Sequence, residues 1–242
     1  MNQLIRIGPV KTIAKTRHQT GMSAFPERID EYYGVLTTYS SVDRKNVLEL
    51  GPGKTIDIVV RAKRDGAAKV AIVDIEPYLS LSEASKQEIE YRIYDGSNIP
   101  FPDGTFDYLW STSVLEHVRF PEAIVKETYR VLKPGGRVVH LVDLIDHFSY
   151  GDPDPNYTFN CLKYSERTWN LMTWHRSAYV NRLRASDWIE LHEKAGFKVA
   201  EAKYKTNEYI RDNYSTEPAL NYLKKYSESD ATTTDILLVA DK

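Results

Sequence analysis

The run Asn46-Val47-Leu48-Glu49-Leu50, broken at once by Gly51-Pro52-Gly53, constrains this chain more than any other feature. Apolar almost throughout and closed by glycine, it reads as a buried strand turning sharply into a helix. The pattern then recurs. Residues 69–73 end in Asp74, residues 91–94 in Asp95-Gly96, residues 106–110 in Ser111 and residues 137–142 in Asp143. Amphipathic stretches lie between these runs. Ile56, Ile58, Val59, Val60 and Ala62 predict a helix ending near Asp65-Gly66; Ala123, Ile124, Glu127, Val131 and Leu132 predict another, stopped by Lys133-Pro134-Gly135-Gly136. Residues 188–194 predict a late helix capped by Gly196, before strands at 197–202 and 233–240. Buried strands separated by helix-length segments imply an α/β fold whose parallel sheet is covered on both faces.

Two regions stand outside the repeat. Residues 1–45 precede the first strand and carry Tyr32, Tyr33 and Tyr39 in an expected helical lead-in, so the main domain is read as 46–242. Residues 144–184 form a long insertion after the fifth strand. Its Phe148, Tyr150, Tyr157, Phe159, Tyr164, Trp169, Trp174 and Tyr179 argue against disorder and for a lid folded over one end of the sheet.

Composition narrows the function classes. With 32 Lys+Arg against 34 Asp+Glu, the net charge of −2 gives no electrostatic reason to expect nucleic acid. The single cysteine, Cys161, excludes an intrachain disulfide and a multi-cysteine zinc site. No apolar run approaches the roughly 20 residues of a membrane helix, and residues 1–21 show no signal-peptide core. A cytoplasmic setting is the expectation.

Ligands of an open parallel sheet sit beyond the carboxyl ends of its strands. Here those ends offer Gly51, Gly53, Asp74, Asp95, Ser111 and Asp143. Asp74 lies about 20 residues beyond the glycine turn, where a carboxylate can accept bonds from a ribose diol. The third glycine of a dinucleotide fingerprint is absent, because Ile56 stands there. A nucleoside without a phosphate chain therefore suits the turn better than a dinucleotide.

Residues 47–53 (VLELGPG) resemble the glycine-rich first motif of class I S-adenosylmethionine-dependent methyltransferases, of the type 11 kind. Asp95-Gly96-Ser97-Asn98-Ile99-Pro100-Phe101 with Phe106-Asp107 is similar to their adenine-contacting segment and fourth strand. Val114-Leu115-Glu116-His117-Val118 and Arg130-Val131-Leu132-Lys133-Pro134-Gly135-Gly136 complete the resemblance; Thr55 departs from it, where many members have glycine. The resemblance implies a Rossmann-like, seven-stranded, mostly parallel sheet with an antiparallel final strand, and S-adenosylmethionine as cofactor. It implies that Gly51 and Gly53 pass under the methionine part and that Glu49 orients the loop or reaches the amino group. It places Asp74 on the ribose, Ile75 against the adenine face, Asp95 on the adenine amino group beside Gly96, and the Ser111 carbonyl on the ammonium.

The acceptor side rests on histidines. His147, in Asp143-Leu144-Ile145-Asp146-His147, is the expected base, with Asp143 or Asp146 orienting it. His117 is either catalytic or a wall of the cofactor pocket, and His140 reads as a core histidine. Asp143 and Asp146, with a further carboxylate, could instead hold Mg²⁺; no protein metal ligand is otherwise assigned. Arg182 and Arg184 either grip an anionic acceptor or lock the lid through acidic partners. Residues 142–148 and 179–188 also resemble a bacterial subgroup associated with surface-polysaccharide and sugar modification. The expected activity is O-methylation of a small polar acceptor, such as a sugar of a glycan or glycolipid, by a chain compatible with a homodimer. The alternatives are N- or C-methylation of another metabolite, or a non-catalytic cofactor-binding subunit.

Overall fold

The computed structural model describes residues 26–79, 84, 87–147, 158–173, 179–213 and 225–242. Its centre is a seven-stranded sheet in the order β3-β2-β1-β4-β5-β7-β6. The strands are β1 (Asn46–Leu50), β2 (Lys69–Asp74), β3 (Glu90–Ile93), β4 (Phe106–Thr112), β5 (Leu132–Asp143), β6 (Lys198–Thr206) and β7 (Thr233–Asp241). β1 to β5 pair in parallel, and β7 runs antiparallel to both β5 and β6. This is the expected Rossmann-like sheet with its antiparallel last strand.

Alternation along the strands sends side chains to two faces. Leu48, Leu50, Ala71, Val73, Leu109 and Val138 pack on one side with Ile124 and Val125 of α3 (Pro121–Val131) and Trp188 of α5 (Ala185–Ala195). Val47, Val70, Ile72, Tyr108 and Val139 pack on the other with Ile29 and Leu36 of α1 (Ile29–Tyr39) and Ile58, Val59 and Ala62 of α2 (Asp57–Arg64). The described part of the lead-in thus lies on the second face. There the Tyr108 hydroxyl donates to the Leu36 carbonyl at 2.6 Å and Arg137 to the Tyr39 carbonyl at 2.7 Å.

Local rules explain where the helices stop. Pro121 occupies the first turn of α3, where its missing N–H costs nothing. α5 ends at Gly196, whose φ of 105° is the left-handed cap that glycine supplies cheaply. At the start of α5, Asp187 accepts the Arg184 amide at 2.8 Å. After β5, a single turn (Asn160–Lys163) and α4 (Glu166–Thr173) gather Phe159, Cys161, Leu162, Trp169 and Val180 into a separate small cluster. Of the aromatic residues expected in this insertion, Phe148, Tyr150, Tyr157 and Trp174 lie outside the described residues.

Candidate functional site

Parallel register aligns the carboxyl ends. Leu50 pairs with Val73 on one side and Ser111 on the other, Asp74 with Ile93, and Thr112 with Leu141. Strand order reverses at β1, which lies between β2 and β4, so the crevice opens above Gly51.

Gly51 (φ 69°) and Gly53 (φ 68°) both sit in the left-handed region. A Cβ at Gly51 would stand 2.7 Å from Val114 Cγ2, so the turn admits no side chain there. Gly51→Ala is expected to cost about 1–2 kcal/mol for the left-handed backbone alone, and to displace Val114 or the loop. Calorimetry with the cofactor and a thermal melt check this; unchanged affinity and stability would contradict it.

Asp74 ties the turn to β2. It is buried, its Oδ2 accepts the Gly53 amide at 3.0 Å and its Oδ1 the Glu76 amide at 3.3 Å. Burial pushes its carboxyl up to about 6, the backbone amides of Gly53, Glu76 and Ile75 partly offsetting this. Glu49 lies deeper. Burial pushes it up to about 8; the nearby Trp110 indole opposes this and the Asp74 charge adds to it. Glu49 Oε2 is enclosed, with no hydrogen-bond partner among the described residues.

Ile75, a large apolar residue 57% exposed at the tip of β2, has its Cγ2 only 3.7 Å from where a Gly96 Cβ would stand. The two form an apolar wall and a side-chain-free floor beside Asp95. Asp95 Oδ1 accepts the Ser97 and Asn98 amides at 2.8 and 2.7 Å and the Ser97 hydroxyl at 3.0 Å. Those bonds hold its carboxyl below the usual range and shape the loop carrying Gly96. Ser111 is fully buried, its Oγ 2.7 Å from His140 Nδ1. His140 is a core histidine as expected, held well below the usual imidazole range by burial and by the neighbouring His192.

This seat fits S-adenosylmethionine. Two side-chain-free turns give access to the main chain, an exposed isoleucine meets a flat base, and acidic groups suit a diol, an ammonium and a sulfonium. The unpartnered Glu49 oxygen is the clearest sign that the site accommodates a donor or cation.

The acceptor-side candidates converge beyond β4 and β5. His147 Nε2 is 3.5 Å from Asp143 Oδ2, and the Ile145 amide donates to Asp143 Oδ1 at 3.0 Å. The His117 and His147 rings meet edge to face at 4.7 Å between centroids. His117 Nδ1 is 2.7 Å from the Tyr179 carbonyl. Asn181 fastens the same turn, donating to the carbonyls of Leu115, Val118 and Glu116. Asp146 is buried at 1% exposure, and its amide donates to the Thr158 carbonyl.

The two arginines occupy the interior. Arg182, at φ 65°, donates to the carbonyls of Cys161 and Tyr164 and pairs with Glu166 at 3.1 Å. Arg184 is fully buried and donates to the carbonyls of Leu144, Asp230, Ala231 and Thr233. Most of these bonds run to backbone carbonyls, and Glu166 supplies an acidic partner to Arg182.

Glu116 was not singled out by the sequence reading. It lies in the turn after β4, 1% exposed, with neither oxygen at hydrogen-bonding geometry to a partner among the described residues. Burial and the Asp143 charge hold its carboxyl well above the ordinary range, the amides of Glu116 and Asp143 partly offsetting them. Its only signal was its place beside His117 in an otherwise apolar stretch.

Residues 48–140 match the model of a family described as a methyltransferase domain. Among curated proteins, the chain is 28% identical over 127 residues to norajmaline N-methyltransferase of Rauvolfia serpentina, covering 49% of this chain and 44% of that protein. It is 25% identical over 195 residues to the chloroplastic tocopherol O-methyltransferase of Arabidopsis thaliana, covering 74% and 56%. The chain thus spans about half the length of these relatives. An S-adenosylmethionine-dependent methyltransferase from Mesorhizobium loti superposes with a TM-score of 0.61 at 17% identity, over 88% of this chain and 100% of that one; this likeness is of fold.

Proposed function

We propose that this chain is a class I S-adenosylmethionine-dependent methyltransferase and that it methylates a hydroxyl of a small polar acceptor, such as a sugar of a glycan or glycolipid. One observation supports a hydroxyl most. Two imidazoles and Asp143 meet beyond β4 and β5, next to the strand ends that seat the cofactor. A sugar hydroxyl is a poor nucleophile until it loses its proton, whereas an amine or a stabilised carbanion needs no such help.

The cofactor supplies the sulfonium methyl and the leaving group. The chain aligns oxygen, carbon and sulfur, and keeps competing water out. His147 takes the hydroxyl proton, and Asp143, itself fixed by the Ile145 amide, stabilises the imidazolium. His117 walls the site, held by Tyr179, and Arg182 and Arg184 anchor the segment that covers it.

The test is transfer of tritiated methyl from S-adenosylmethionine to defined acceptors and to cell-envelope glycan and small-metabolite fractions. Label in a methyl ether of a sugar is expected. Label on nitrogen or carbon would replace this reading with an N- or C-methyltransferase. No transfer despite cofactor binding would leave a non-catalytic binding subunit.

A further inference from the structure

A buried carboxylate that is poorly supplied with hydrogen bonds is costly, and such groups are ordinarily paired or bound to metal. Neither oxygen of Glu116 reaches full hydrogen-bonding geometry with a partner among the described residues, and two imidazoles stand beside it. One ligand atom each from Glu116, His117 and His147 lies within 4.8 Å of the others, and His117 Nε2 is 3.9 Å from Glu116 Oε1. The Tyr179 carbonyl accepts the His117 Nδ1–H, so the lone pair of the neutral ring is on Nε2, the atom nearest Glu116 Oε1. Metal-binding histidines are commonly oriented in this way. Asp143 and Asp235 bring further negative charge to bear on Glu116.

We propose that Glu116, His117 and His147 bind one divalent transition-metal ion of the zinc type. The proposal rests on the acceptor site assigned above and specifies how that site takes oxygen ligands. Zinc–ligand distances of about 2.0–2.2 Å bring donor atoms to roughly 3–4 Å from one another, so the cluster closes by about an ångström on binding. Two imidazoles with one carboxylate favour zinc, cobalt or iron over magnesium, which prefers oxygen alone. The Mg²⁺ alternative at Asp143, Asp146 and a further carboxylate is therefore the weaker fit.

Three protein ligands leave an open position, and a hydroxyl, or the two oxygens of a vicinal diol, fills it. With the cation bound, His147 is a ligand in place of the base role it has without the ion, and coordination would acidify the hydroxyl. Its proton would then pass to Asp143 as the oxygen bonds to the methyl carbon. The carbon–sulfur bond breaks with its electron pair on sulfur, and the charge of the cation does not change.

The experiment titrates the chelator-stripped full chain with ZnCl₂ by calorimetry and with CoCl₂ by visible absorption. One ion per chain and a d–d band of low-coordinate Co²⁺ are expected. Glu116→Gln and His147→Ala should each weaken both at least tenfold, while binding of S-adenosylhomocysteine stays unchanged and shows that the variants fold. His117→Gln takes the place of either variant that does not fold. Absence of saturable Zn²⁺ and Co²⁺ binding by the parent protein overturns the proposal, as does equal binding in the variants. So does binding of MgCl₂ alone. The methyltransferase reading fails separately, by absence of S-adenosylhomocysteine binding or of label transfer in the presence of Zn²⁺.

Discussion

His147→Ala is expected to lower turnover by about 10²-fold or more, the usual contribution of a positioned proton acceptor. Cofactor affinity should change little, because Gly51, Asp74, Ile75 and Gly96 lie on other strand ends. The loss belongs in kcat rather than in the dissociation constant for S-adenosylmethionine. Steady-state rates, paired with cofactor titrations, check this. Equal turnover in variant and parent would remove His147 from the chemistry, and the metal titrations separate its part as ligand from its part as base.

Asp74→Ala is expected to weaken cofactor binding by roughly 10- to 150-fold, the equivalent of about 1.5–3 kcal/mol for hydrogen bonds to a charged group. The variant would lose the ribose bonds expected of Asp74 and also the anchor of the Gly53 amide, so the glycine turn should loosen as well. Calorimetry measures it, and an unchanged dissociation constant would show the ribose to be held elsewhere. The same residue gives a pH signature. Its carboxyl is pushed up to about 6 in the free protein, and a ribose diol donates best to the ionised form. Affinity should therefore fall as pH drops below about 6. Folding has the opposite sign. A carboxyl with a raised folded pKa binds its proton more tightly in the native state, so the stability it contributes declines as pH rises toward 6. Glu49, pushed up to about 8, extends that decline upward, and added cofactor should reverse it by ligand linkage.

Much of the sheet was legible because buried parallel strands are written as continuous apolar runs, each ended by a glycine or a polar residue. Asn46–Leu50, Lys69–Asp74 and Phe106–Thr112 fall where those runs predict them. Gly196 marked the end of α5 by the same logic. β5 was read short, because Lys133-Pro134-Gly135-Gly136 looks like a loop; in the structure the strand begins at Leu132. The pairing of the Gly135 amide with the Lys242 carbonyl is a contact between distant parts of the chain that no local pattern announces.

The residues expected to seat the cofactor lie near one another for a related reason: they follow directly on adjacent strand ends, so position in sequence implies position in space. The acceptor side was less so. Arg182 and Arg184 were expected either to grip an anionic acceptor or to pair with acidic side chains, yet most of their bonds are to carbonyls on three separate segments, which composition does not reveal. Glu116 looked like part of a motif rather than a site, because His147, which gives it meaning, arrives from the far end of β5.

The most direct measurement is a calorimetric titration of the folded full chain with S-adenosylhomocysteine. Saturable heat at one site per chain is expected, diminished in Asp74→Ala. A folded protein that gives no heat, with S-adenosylmethionine equally silent, would contradict the cofactor assignment.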